Sequence, residues 1–205
     1  VEELGGTPVA HVLGSRLMTN AVNAAMANGA LGHAEDFDDM GNGHQASLLM
    51  PVVLALGEEL HASGRQALAA WAVGFDITAY GDMAMGADHY AKGWHKTSSV
   101  GVLGCTAAAA HLMGLDESKV RMALGIAASQ ASGIRANFGS MTKPFHPGNA
   151  ARGGVLSAKM AAKGWDANAD VIEHRFGYFA TLGEHMAQLS HFPRHLGHPW
   201  AIMGQ

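Results

Sequence analysis

Cysteine is almost missing from this 205-residue chain, with Cys105 the sole example. One thiol excludes an intrachain disulfide, so a reducing, cytoplasmic setting is expected. Its position within a run of small residues reads as core filling. Charge is also scarce: 15% of the residues are charged, and the net formal charge is −4. A nucleic-acid binder needs a basic patch or stripe, so that class is set aside. There is no unbroken apolar run of about 18 residues, hence no expected transmembrane helix. A basic-then-apolar leader is absent as well. No repeat with a period of 20–50 residues is visible. The chain begins without Met and stops abruptly at "HLGHPWAIMGQ", and so reads as a piece of a longer protein.

Hydrophobic residues make up 48% of the sequence, with Gly and Ala frequent. This is the composition of a packed chain with a sizeable core. Helical spacing predicts helices over 16–37, 46–63 and 64–86, with Pro51 tolerable only in a first turn. A loop over 87–97 then leads into a helix that Thr97 or Ser98 would cap, that runs to His111 and that Gly114 closes. Asp116 opens the next helix, which Gly133 follows. Further helices are expected over 148–164 and 167–183. Alternating β-branched strands are essentially absent, so the fold class is all-α. Gly74, Gly101, Gly104, Gly125, Gly153 and Gly154 lie inside helical segments, where each costs about 1 kcal/mol relative to Ala. Compact packing of helix on helix accounts for most of them.

Three segments break the apolar pattern. "GHAEDFDDMGNGHQAS" (32–47) carries His33, Glu35, Asp36, Asp38, Asp39 and His44 after a helix. Acidic residues at a helix C-terminus oppose its dipole, which makes simple surface decoration a poor explanation. A metal site is the sharper rival, although the spacing fits no standard motif. In "GWHKTSSVG" (93–101), His95 and Lys96 precede Thr97 and Ser98 at a helix start, where free N–H groups suit a carboxylate or phosphate. In "NFGSMTKPFHPGNAARGG" (137–154), Lys143 and His146 sit around two prolines that stiffen the segment. A structural connector is the plain alternative there. Together the segments offer carboxylate, histidine and lysine side chains, with no Ser-His-Asp order and no nucleotide fingerprint. Acid, base and fixed cations without a covalent apparatus suit proton transfer beside a carboxylate, as in dehydration, hydration, decarboxylation or epimerisation.

"NGALGHAEDFDD", "GWHKTSSVG", "SQASGIRANFGSMTKPFHPGNAARGG" and "LGHPW", in this order, resemble the MmgE/PrpD family. Its members include 2-methylcitrate dehydratase, cis-aconitate decarboxylase and an iminodisuccinate epimerase. The resemblance implies that residues 1–205 are the central part of a large helical domain. A smaller α+β domain would lie beyond them, and this chain alone would be inactive. Carried over by position, Asp36 matches the first aspartate of the family's DFDD motif and His44 its HPS histidine. His95 matches that of GWH, and Lys143 and His146 match those of KP-x-H. The implied site is a metal-free, cofactor-free pocket for a small polycarboxylate in a homodimer. His44 and His95 would share proton transfer, Asp36 would orient an imidazole, and Lys143 and His146 would hold carboxylates, with Thr97 and Ser98 as further binding candidates. The implied reaction is that of a hydro-lyase of the 2-methylcitrate type, as in propionate catabolism. An epimerase, a decarboxylase, or a non-catalytic fragment or assembly partner are the alternatives. The chain departs from the family pattern at Met40, where many members have Thr or Ser, at Gln45 in place of proline, and in a short loop between Asp39 and His44.

Overall fold

A computed structural model describes residues 1–39, 43–183 and 196–204. Met40 lies outside them. In chain order the described elements are β1 (Ala10–His11), β2 (Met18–Thr19), α1 (Ala21–Gly32), α2 (Gln45–Leu60), α3 (Gly64–Met85), α4 (Ala87–Ala91), α5 (Lys96–Ser99), α6 (Gly101–Leu112), α7 (Glu117–Ala128), α8 (Thr142–Ala162) and α9 (Tyr178–Leu182). The fold is all-α, with one small antiparallel hairpin that pairs Ala10 with Thr19 and His11 with Met18.

Several helices open where a side chain replaces a missing backbone partner. Asn20 Oδ1 accepts the Asn23 N–H at 2.9 Å to start α1. Ser63 and Gln66 form a reciprocal capping box on α3, and Asp116 accepts the Lys119 N–H at 2.9 Å on α7. Each such cap stabilises by about 1 kcal/mol.

The core forms around α6, in which every residue from Gly101 to Ala110 is buried. A helix apolar on all sides must be surrounded, and α6 packs against α2, α3, α7 and α8. Leu48, Leu49, Val52 and Leu56 of α2 and Val155 of α8 fill the space beside it. Burial pushes the Cys105 thiol well above its ordinary pKa, consistent with core filling. The helices α1 and α8 cross in close contact. A Cβ built on Gly29 would meet the Gly148 Cα at 2.7 Å. Only glycine permits that crossing, and it places the C-terminus of α1 beside the first turns of α8.

Several boundaries differ from those the sequence predicts. α1 spans Ala21–Gly32, because the chain enters it from β2 and leaves it into the acidic turn. Pro51 lies beyond the first turn of α2, buried in its interior, and removes the N–H that would reach the Ser47 carbonyl. The 87–97 stretch contains α4, and Thr97 and Ser98 lie inside α5 without capping it. α8 begins at Thr142, not at 148, so Lys143 and His146 stand on a helix. Pro144 fits there, since its position in the first turn needs no intrahelical N–H partner. Only Tyr178–Leu182 of the 167–183 segment is helical. The backbone before it forms turns, with the Tyr178 N–H reaching the Val171 carbonyl at 2.8 Å.

Candidate active site

Backbone geometry brings the three polar segments together. After α1 the chain turns sharply at Asp36, whose φ of 56° is left-handed, a conformation that Asp tolerates better than most residues. Three residues on, Asp39 caps α2, accepting the Gln45 and Ala46 N–H groups at 3.0 and 2.8 Å. The acidic run thus serves the N-terminus of the next helix, where negative charge is favourable. This resolves the dipole conflict posed by the sequence.

His95 is fixed by a bridge between Trp94 and Ile134. Its N–H donates to the Gly133 carbonyl at 3.0 Å. Gly133 has φ +100°, and a Cβ there would meet the Ser98 Cβ at 2.7 Å, so glycine is required. Beneath this loop, the His89 ring pairs with the Leu182 carbonyl at 2.8 Å and with Ser99 Oγ at 2.6 Å.

His44, His95, Lys143, Thr97 and Gln45 line one cavity of about 300 Å³, together with Phe138, Tyr90 and the ion-paired Lys96 and Asp82. A pocket of this size takes a small metabolite. Lys143 Nζ lies 2.5 Å from Asp36 Oδ2 and 5.4 Å from the Phe138 ring centroid. His95 meets that ring edge-on, with centroids 4.8 Å apart. Ser98 turns away from the cavity: its hydroxyl donates to the His146 carbonyl at 3.1 Å. His146 does not line the cavity either. It is buried, with its Nδ1 2.9 Å from that of His95, so one ring donates the hydrogen and the other accepts it.

Two residues that the sequence named in the acidic segment without assigning them a role in the pocket complete the cluster. His33, fully buried, places its Nδ1 2.8 Å from Asp38 Oδ2, while His44 Nδ1 lies 2.6 Å from Asp38 Oδ1. The Nε2 atoms of His33 and His44 stand 3.5 and 3.8 Å from Asp36 Oδ1. Both belong to the GHAEDFDD phrase. Their placement beside His44 was the missing information, and it depends on the loop between two helices.

The charges follow from these contacts. The Lys143 hydrogen bond holds the Asp36 carboxyl below its ordinary pKa. For Asp38, burial acts to raise the pKa, but the hydrogen bonds from His33 and His44 outweigh it and the net shift is downward. Burial, followed by the positive charge of neighbouring His146, His33, Lys143 and His44, lowers His95 to about 3. His95 is therefore a neutral imidazole at physiological pH. His33, Asp36, Asp38 and His44 offer ligand atoms within 4.8 Å of one another, a donor set that a divalent ion could use. Lys143 already supplies a cation to Asp36 there.

An all-helical domain that directs two imidazoles and an ammonium into one small cavity has the means to hold a small anion and move a proton at it. The chain belongs to the MmgE/PrpD family, with residues 1–188 matching the MmgE/PrpD N-terminal domain. It is 34% identical over 186 residues to the cis-aconitate decarboxylase of Homo sapiens, covering 87% of this chain and 38% of that protein. Identity to the cis-aconitate decarboxylase of Mus musculus is 33% over 202 residues, or 86% of this chain and 41% of the relative. The cis-aconitate decarboxylase of Aspergillus terreus is 34% identical over 181 residues, covering 83% and 37%. The chain thus spans about two-fifths of the length of these curated relatives. Among the described residues, no helix is long and apolar enough to cross a membrane.

Proposed function

We propose that this chain carries the proton-transfer part of a lyase acting on a small polycarboxylate. The observation that carries the reading is the convergence of His44, His95 and Lys143 on a single cavity. Of the reactions expected from the sequence, decarboxylation of a cis-aconitate-like acid has the support of the named relatives. The hydro-lyase reaction on 2-methylcitrate has no named relative behind it.

In this reading, a substrate carboxylate approaches Lys143 Nζ and competes with Asp36 for it. Fixed positive charge in a water-poor pocket contributes several kcal/mol where charge develops. The carbon–carboxylate bond breaks, CO2 leaves, and the electron pair remains on the carbon framework. Protonated at Nε2, His44 then delivers a proton to that carbon, and Asp38 meets the charge of the imidazolium. His95, kept neutral, hydrogen-bonds the substrate without adding charge, while His146 behind it sets which nitrogen carries its hydrogen. This gives His146 a role in orienting His95 in place of direct contact with a carboxylate.

The test is turnover by the full chain of citrate, 2-methylcitrate, cis-aconitate and iminodisuccinate, with CO2 release measured alongside loss of substrate. CO2 from cis-aconitate is the expected result; dehydration of 2-methylcitrate without CO2 would return the reading to a hydro-lyase. Activity is expected to persist in EDTA. A loss that a divalent ion restores would transfer His33, Asp36 and His44 to a metal site. The homodimer implied by the family is checked by light scattering on the same preparation.

A further inference from the structure

Asp38 spends both carboxylate oxygens on imidazoles, Oδ2 on His33 Nδ1 at 2.8 Å and Oδ1 on His44 Nδ1 at 2.6 Å. We propose that Asp38 is a positioning residue that locks His33 and His44 in the same tautomer, with hydrogen on Nδ1, so that both Nε2 atoms face Asp36. The inference rests on the lyase reading only for its effect on turnover.

The chemistry leaves little choice of tautomer. An ionised carboxylate accepts and cannot donate, so each Nδ1 must carry the hydrogen. The Asp38 side chain is 6% exposed and that of His33 is 0% exposed, so water is not available to substitute. Both hydrogen bonds also hold Asp38 in its ionised form. His33 fills the space between the reacting histidines, its ring centroid 4.4 Å from that of His44 and 6.3 Å from that of His95. Its Nε2 is buried without a hydrogen-bond partner, 3.5 Å from Asp36 Oδ1. Neutral, each ring turns a lone pair towards the Asp36 end of the cluster; protonated, each becomes a donor aimed at Asp36. His44 lines the cavity, so its Nε2 is the nitrogen available for proton exchange with substrate. His33 backs it and does not line that cavity.

Asn at position 38 would preserve shape and reverse one bond. Its amide NH2 must face one of the two Nδ1 atoms, and that ring must then move its hydrogen to Nε2. The experiment compares the full chain with Asp38→Asn and Asp38→Glu, using 15N-labelled histidine to read imidazole tautomers and steady-state kinetics on cis-aconitate. The expected wild-type spectrum has His33 and His44 both with hydrogen on Nδ1. In Asp38→Asn one of them switches, and kcat falls by about 100-fold or more with KM little changed, as for loss of a correctly oriented proton donor. Asp38→Glu, which restores two acceptors, recovers the wild-type tautomers and part of kcat. A wild-type spectrum in which either ring lacks hydrogen on Nδ1 overturns the proposal, even if Asp38→Asn fails to fold. Unchanged tautomers and kcat in a folded Asp38→Asn overturn it as well. If the wild type turns over no polycarboxylate, the lyase reading fails, while the spectra still decide the role of Asp38.

Discussion

Two buried regions of this domain keep water out by different means. Around α6, every residue from Gly101 to Ala110 is buried, and the neighbouring space is filled by Leu48, Leu49 and Val52. Around His44, the buried groups are His33, Asp38, His95 and His146, each held by a hydrogen bond to another member of the cluster. The first region depends on shape, and an added or removed methyl group is felt directly. The second depends on matched donors, acceptors and charges, where losing one partner leaves the other buried and unsatisfied. Stability is therefore expected to reside mainly in the α6 surroundings and reactivity in the cluster, and substitutions in each should separate the two.

The largest effect is expected for Lys143→Met. Removing the ammonium should lower kcat/KM on the preferred polycarboxylate by about 100- to 1,000-fold, or about 3–4 kcal/mol. The melting temperature should move little, because Lys143 lies at the cavity wall and outside the helix core. Steady-state kinetics with calorimetry checks both; a large loss of stability would break the division. Next, Gly148→Val should destabilise by about 1–3 kcal/mol or more through overpacking, since a Cβ there would meet the Ala30 backbone nitrogen at 3.0 Å. Chemical denaturation measures the loss, and its size relative to Lys143→Met sharpens the comparison.

A pH series addresses the cluster alone. His95 is lowered from 6.5 to about 3 in the folded chain, so below pH 6.5 the unfolded chain takes up a proton that the folded one refuses. Stability from this group is complete above pH 6.5 and declines as pH falls towards about 3. His146 and His89, whose pKa values are also lowered, add to the same slope. Melting temperatures between pH 7 and 4.5 should fall, and His95→Gln should flatten the fall. An equal slope in the variant would remove His95 from this account. The smallest effect is expected for Ser63→Ala, which removes the α3 cap far from both regions. It should cost about 1 kcal/mol, visible in denaturation and absent from kcat/KM.

The sequence carried the helical class because its signals were local. Spacing of apolar residues, the Asp116 cap and the glycines after helices each act within a few residues. The expected start of α8 was wrong for a related reason. Proline reads locally as a breaker, yet Pro144 and Pro147 sit in the first turns of α8, where packing against α1 sets the backbone path. Asp36, His44, His95 and Lys143 were legible as candidate residues through the motifs that carry them. Their contacts were not, nor was the cavity that His44, His95 and Lys143 line.

What the sequence determined by itself was therefore the kind of structure and the supply of chemistry: helices without disulfides, and imidazole, carboxylate and ammonium groups at helix ends. Only the tertiary structure decided which groups are partners. It paired Lys143 with Asp36, gave Asp38 to His33 and His44, and turned His146 and Ser98 away from the cavity. The reason is physical. A hydrogen bond is made or lost within a few tenths of an ångström, and segments about fifty residues apart reach that precision only after Gly29 and Gly148 let α1 and α8 close on one another.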